Sequence, residues 1–310
     1  MEFLLPPQLK NDEGKTRKAG FELELAGIAL DNISQHIVAI YGGEHQRNSA
    51  FDHEISNTRY GTFRVEVDAA VLKNQSWRKW LTGLGFDLND LPFIDNLDEL
   101  ENHIARLAGK VVPYEVVTPP LAVDELAELD ELRERLRDDM GQGTRASIVN
   151  AFGLHINPEA PSLSAESILR HIQAFLLLNT LIQDASDIDF SRKLTPYIKR
   201  FPEKYARKIL QLDYKPDMQQ LVDDYLEHNP TRNRPLDMLP LLAHVHGDEV
   251  IERCDEPDLI KPRPAFHYRL PNCLLDEPDW RIAEEWNRWL VVEKLADDRN
   301  ALHSLIGRRR

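Results

Sequence analysis

Gly20-Phe21-Glu22-Leu23-Glu24-Leu25 is the stretch from which the rest of the chain is read. Phe21, Leu23 and Leu25 alternate with Glu22 and Glu24, the period-2 signature of a strand that packs one face and leaves the other polar. The pattern recurs at Phe63-Arg64-Val65-Glu66-Val67-Asp68, where apolar side chains alternate with Arg64, Glu66 and Asp68. Side chains two apart on a strand point the same way, so each acid pair lies on a single face. Glu115, in a short strand over 111–118 closed by Pro119-Pro120, is a further acid of the same kind.

Around these strands the chain alternates between the two periods. A helix is expected from Leu30, with Ile33, Ile37, Val38 and Tyr41 on one side and Gly42-Gly43 as its stop. Phe51, His53 and Ile55, followed by turn residues at 57–61, predict a hairpin into the Phe63 strand. Helices are expected over 97–107 and 124–139, and a fourth strand through Phe152, Leu154 and Ile156 puts Gly153, His155 and Asn157 on its other face. Ser164 is a candidate N-cap for a long helix reaching Ile182, with shorter helices near 202–212 and 217–228. A last strand over 266–270 precedes a helix over 279–295. This is the pattern of one α+β domain over 19–300 with a helical insertion at about 164–262. A flexible lead-in at 1–18 and a basic tail at 301–310 are expected to flank it.

Composition removes several function classes. Against 38 basic residues stand 52 acidic ones, a net charge of −14, which repels phosphate backbones and acidic membranes. The basic runs, Arg308-Arg309-Arg310 and Arg232-Asn233-Arg234, are short, so nucleic acid is not an expected partner. Nor is a membrane: the longest apolar stretches fall far below the roughly 18–20 residues of a span, and Met1-Glu2-Phe3-Leu4-Leu5 does not open a secretory signal. Two cysteines, Cys254 and Cys273, make no disulfide framework, and the expected location is the cytoplasm. The oligomeric state is left open.

Acids gathered on one sheet face raise each other's pKa unless a cation compensates them, and carboxylate oxygens suit a hard ion, Mg²⁺ or Mn²⁺. The blander reading is a solvated outer face of antiparallel strands; the recurrence of one acid spacing in two strands favours a site. His155 adds an imidazole, Asn157 an amide, and Arg64, His267 and Arg269 add donors. Metal-binding acids beside arginines are the parts of phosphoryl transfer. Neither a Gly-x-x-x-x-Gly-Lys-Ser/Thr loop nor a Gly-x-Gly-x-x-Gly turn is present, so a nucleotide would be held by the sheet. His244-Val245-His246 has the spacing of a metal pair, but near Pro240 and Gly247 it reads as a loop or strand end. Trp280, Trp286 and Trp289 are spaced for helical core packing.

Gly20-Phe21-Glu22-Leu23-Glu24-Leu25, Phe63-Arg64-Val65-Glu66-Val67-Asp68, Tyr114-Glu115-Val116-Val117-Thr118-Pro119-Pro120 and Gly153-Leu154-His155-Ile156-Asn157 occur in that order. Over about residues 17–295 the chain resembles the amidoligases of the glutamine synthetase-like carboxylate–amine ligase superfamily, related to glutamate–cysteine ligase. The resemblance implies an antiparallel sheet curved around an ATP site, with helices on one face and Mg (or Mn) ions between acids and phosphates. Glu22, Glu24, Glu66 and Glu115 would be metal ligands, Asp68 a less regular one, and His155 a metal or phosphate contact. Asn157 would touch substrate or nucleotide, Arg269 would hold phosphate, and Arg64, Lys199 and Arg200 would be further phosphate contacts. Glu66, Asp68 and Arg269 would stand nearest the reacting groups. Such ligases carry a Glu-aromatic-Arg triplet in the last strand; here His267 replaces the acid.

The activity this implies is ATP- and Mg-dependent amide formation between a small-molecule or peptide carboxylate and an amine, through an acyl phosphate. A metal-dependent phosphohydrolase and a catalytically degenerate nucleotide-binding module are the alternatives, the second favoured by His267.

Overall fold

The alternation around Glu22 becomes β1 (Lys18–Leu25), in which Phe21, Leu23 and Leu25 are fully buried while Glu22 and Glu24 are only partly so. The structure is a computed structural model and describes residues 1–49, 51–67, 114–142, 153–185 and 198–308. Asp68, the helix expected over 97–107 and the start of the strand expected at 111 lie outside the described residues.

β1 lies inside one antiparallel sheet. The other strands are β2 (Glu44–Arg47), β3 (Asp52–Thr58), β4 (Gly61–Val67), β5 (Tyr114–Val117), β6 (Leu121–Ala122), β7 (Leu154–Pro158), β8 (Leu236–Asp237) and β9 (His267–Tyr268). Their order is β2-β3-β4-β5-β1-β7-β9-β8, with β6 paired to the start of β1, so the nine strands form an open sheet. Nine α-helices are present among the described residues, which makes the chain α+β. They are α1 (Leu30–Tyr41), α2 (Leu129–Gln142), α3 (Ala165–Ala185), α4 (Glu203–Ile209), α5 (Met218–His228), α6 (Leu239–His246), α7 (Asp248–Glu252), α8 (Ile282–Asp297) and α9 (Arg299–Arg308). None of them is long and apolar enough to cross a membrane.

The core lies between the apolar sheet face and these helices. Ile33, Ile37 and Tyr41 of α1 and Leu129, Leu132 and Leu136 of α2 are buried there. Trp286 and Trp289 of α8 are fully buried, at 6.4 Å from Phe21 and 5.4 Å from Tyr268 between ring centroids. α1 stops at Gly42, whose N–H reaches the Val38 carbonyl at a φ of 73°. Gly43 follows at φ 99°, where an added Cβ would run into the Ser56 carbonyl, so this turn into β2 needs glycine.

The segment before β1 is tied to α8. Arg17, fully buried, donates to both carboxylate oxygens of Glu293 at 2.9 and 2.7 Å, and Trp286 Nε1 donates to the Leu4 carbonyl at 2.8 Å. Residues 299–308 form α9, which buries Leu302 and Ile306. The region expected as a helical insertion also contains β8, and β9 spans two residues where five were expected. His244 and His246 sit in the last turn of α6, not in a loop; two residues apart on a helix, they point in different directions.

Candidate active site

The polar sheet face carries the acids in rows fixed by register. Glu66 of β4 pairs with Glu115 of β5, and Glu115 pairs with Glu24 of β1. Asp52 of β3 extends this row as the partner of Glu66. The neighbouring row runs Glu54, Arg64, Val117, Glu22 and His155. Directly opposed carboxylates on three adjacent strands repel one another, so sheet pairing alone does not account for the arrangement. The acids are poorly exposed: 17% for the Glu22 side chain, 20% for Glu24 and 15% for Glu115.

His155 ties the two rows. Its Nδ1 lies 2.9 Å from Glu22 Oε2, and since a carboxylate only accepts, Nδ1 carries the proton. In the neutral ring the Nε2 lone pair is then left 3.6 Å from Glu24 Oε1, while Nδ1 lies 3.9 Å from Glu115 Oε1. Glu24 Oε2 accepts the Gly153 N–H at 2.6 Å. Imidazole and carboxylate lone pairs facing one another are the pattern a bound cation relieves, and the acid-rich donor set suits a hard divalent ion with one nitrogen ligand. The residues present therefore fit such an ion.

Behind Glu22 lies a second tier. Asn157 Nδ2 donates to Glu22 Oε1 at 2.8 Å, and Asn157 Oδ1 accepts from Arg263 at 2.7 Å. His267 Nδ1 lies 2.7 Å from the same Oδ1 and 3.1 Å from Arg263 Nη2. Arg263 also lies 3.6 Å from Glu22, and His267 Nδ1 is 4.0 Å away. Burial works against charge on Glu22, yet His267, His155 and Arg263 outweigh it and hold its carboxyl well below the usual range. Burial likewise pushes His267 well below the usual imidazole value, with Arg263 adding to the effect.

The structure thus brings Glu22, Glu24, Glu115 and His155 together, and register places Glu66 in line with them. Asn157 and His267 stand directly behind. Arg269, partly buried, donates to the Arg232 carbonyl at 2.8 Å, and Asp237, Glu24 and Glu22 are among the charges that act on it. Arg64 is half exposed and faces Glu54 at 3.7 Å. The Lys199 and Arg200 side chains are exposed, and their carbonyls accept from Arg234 at 3.3 and 2.9 Å. Arg234 is accordingly a buried strut of its loop, with Nε donating to Asn229 Oδ1 at 2.8 Å.

Four site residues escaped the reading of the sequence. Asp52 and Glu54 alternate with buried His53 and Ile55, the same signal as Glu22 and Glu24. Arg263 stands in Lys261-Pro262-Arg263-Pro264, just ahead of β9, where the prolines were its only mark. Asp237, opposite His267 in register, lies in a strand too short to show a period; burial raises its carboxyl to about 6.

A family model described as "Putative amidoligase enzyme" matches residues 15–291, a span that holds every described residue of this site. No curated protein and no solved structure matches the chain.

Proposed function

The chain belongs to this amidoligase family, and from that premise we propose that it joins a carboxylate to an amine at the expense of ATP, with Mg²⁺ or Mn²⁺ on the acid face. The reading extends to kinship with glutamine synthetase and glutamate–cysteine ligase. The observation that carries it is the cross-strand row Glu66–Glu115–Glu24, with the His155 Nε2 lone pair turned into it and Arg263 and Arg269 at its flank.

Glu24, Glu66, Glu115 and His155 would hold the metal, which would supply positive charge against that of the phosphates. The protein's own residues set the stage. Glu22 fixes the His155 tautomer through its 2.9 Å hydrogen bond, and Asn157 fixes Glu22 in turn. Arg269 and Arg263 supply positive charge for the transferring phosphoryl group. In-line attack by the substrate carboxylate on the γ-phosphorus gives an acyl phosphate and ADP; the amine then displaces phosphate and forms the amide. Positioning and exclusion of water do most of the work, because an exposed acyl phosphate would hydrolyse.

The test is ADP release from Mg-ATP in the presence of pooled carboxylates and amines. Release that needs both co-substrates supports the ligase. Release that needs neither, with water as acceptor, means a phosphohydrolase, and ATP binding without turnover means a degenerate module.

A further inference from the structure

β3 sends Asp52 and Glu54 to the acid face and His53 and Ile55 to the opposite one. On that opposite face His53, 1% exposed, meets groups from two other elements. Its Nδ1 lies 3.1 Å from Nε2 of His45 on the edge strand β2 and 3.8 Å from Oδ1 of Asp31 in the first turn of α1. Ser34 Oγ lies 3.2 Å from the same nitrogen, but its proton is already given to the Leu30 carbonyl at 2.8 Å, so it faces His53 with a lone pair. A carboxylate, a hydroxyl lone pair and two imidazole nitrogens converge on one point.

Such a cluster needs a cation or a shared proton at its centre. Burial lowers the His53 pKa, the direction that favours the neutral ring of a metal ligand. The ligand atoms of Asp31, His45 and His53 all lie within 4.8 Å of one another. Metal–nitrogen bonds of about 2.0–2.1 Å in a tetrahedron put ligand atoms roughly 3.3 Å apart. The His45–His53 spacing is already close to that, and Asp31, with its side chain 53% exposed, has room to close the remaining gap. Asp31 is not spent on capping either, since the N-cap of α1 is Ala29, with no side-chain cap. Arg47 and Asp52 add charges of opposite sign nearby.

We propose that Asp31, His45 and His53 form a second metal site, for a borderline divalent transition ion such as zinc, that clamps the start of α1 to the edge of the sheet. Two imidazoles and one carboxylate select such an ion over Mg²⁺, the reverse of the acid row on the other face. Water completes the coordination. The inference is independent of the ligase reading, because the His53 side chain lies on the sheet face opposite the acid row.

The experiment titrates Zn²⁺ alone into the untagged full chain against a chromophoric chelator and compares His45→Ala and Asp31→Asn. His45 is exposed on an edge strand, so its removal leaves the metal-free thermal midpoint unchanged. The parent binds one more equivalent of zinc than His45→Ala, and affinity at that site falls by at least about 100-fold, beyond the range seen for loss of an outer partner. Asp31→Asn weakens it by about tenfold, and millimolar Mg²⁺ does not displace the ion. Equal zinc stoichiometry in parent and His45→Ala overturns the proposal. So does a zinc-induced rise in thermal midpoint that survives both substitutions.

Discussion

His267 Nδ1 lies 2.7 Å from Asn157 Oδ1, and Asn157 gives its amide proton to Glu22 at 2.8 Å. The residue that replaces the expected acid of the last strand is thus a support behind Glu22. His267→Glu puts a second carboxylate within reach of Glu22, tolerable only with a cation nearby. The variant is expected to melt lower than the parent without metal and to show a larger Mg²⁺-dependent rise. Differential scanning fluorimetry over a Mg²⁺ series checks both signs; an unchanged response places the metal away from β9.

Glu24→Gln removes charge from the acid row while keeping an acceptor for the Gly153 N–H. A stability loss of under about 1 kcal/mol is expected, since the buried donor stays paired. The rise in midpoint produced by Mg²⁺ with a non-hydrolysable ATP analogue is expected to vanish. Full retention of that rise would remove Glu24 from the metal site.

Asp237 supplies a pH dependence. Its carboxyl titrates near 3.8 in an unfolded chain and at about 6 in the folded one, because burial disfavours its charge. Between those values the folded state holds the extra proton, so the contribution to stability is greatest at low pH and is lost as pH rises toward 6. The loss is on the order of 3 kcal/mol. Asp237→Asn cannot lose a proton, so urea denaturation at pH 4 and pH 7 should show the variant gaining on the parent by about that amount. Parallel pH profiles would count against it.

The pair Arg17–Glu293 is buried at both ends, and Trp289 Nε1 donates to the same carboxylate at 2.7 Å. Glu293→Gln leaves the Arg17 charge uncompensated and should cost about 3–5 kcal/mol. A cost within 0.5 kcal/mol, measured by denaturant unfolding, would show that the pair is dispensable.

The sequence made β1 and β4 legible because their period is local: five or six residues suffice to see Glu22/Glu24 or Arg64/Glu66 on one face. α1 was legible through its apolar spacing and Gly42-Gly43. Strand order was not, since nothing near Glu66 announces that its neighbour is Glu115 rather than Glu22; register is a long-range property. Asp237 and Arg263 were hidden for the same reason. A two-residue strand and a residue between prolines are defined by what they pair with. His53 stood out only as part of a hairpin and His45 not at all, since their proximity depends on a diagonal across β2 and β3.

The place of β1 has a consequence for how the molecule comes into being. β1 is flanked by β5 and β7, which follow it in the chain, and the tier behind Glu22 comes from residues 157–267. Loops that long are slow to close. During synthesis Glu22 and Glu24 must therefore wait, exposed and unpartnered, until most of the chain has followed. The acid face is a late product of assembly, so a nascent chain halted before β9 would carry the acids without Arg263, His267 or Arg269 beside them.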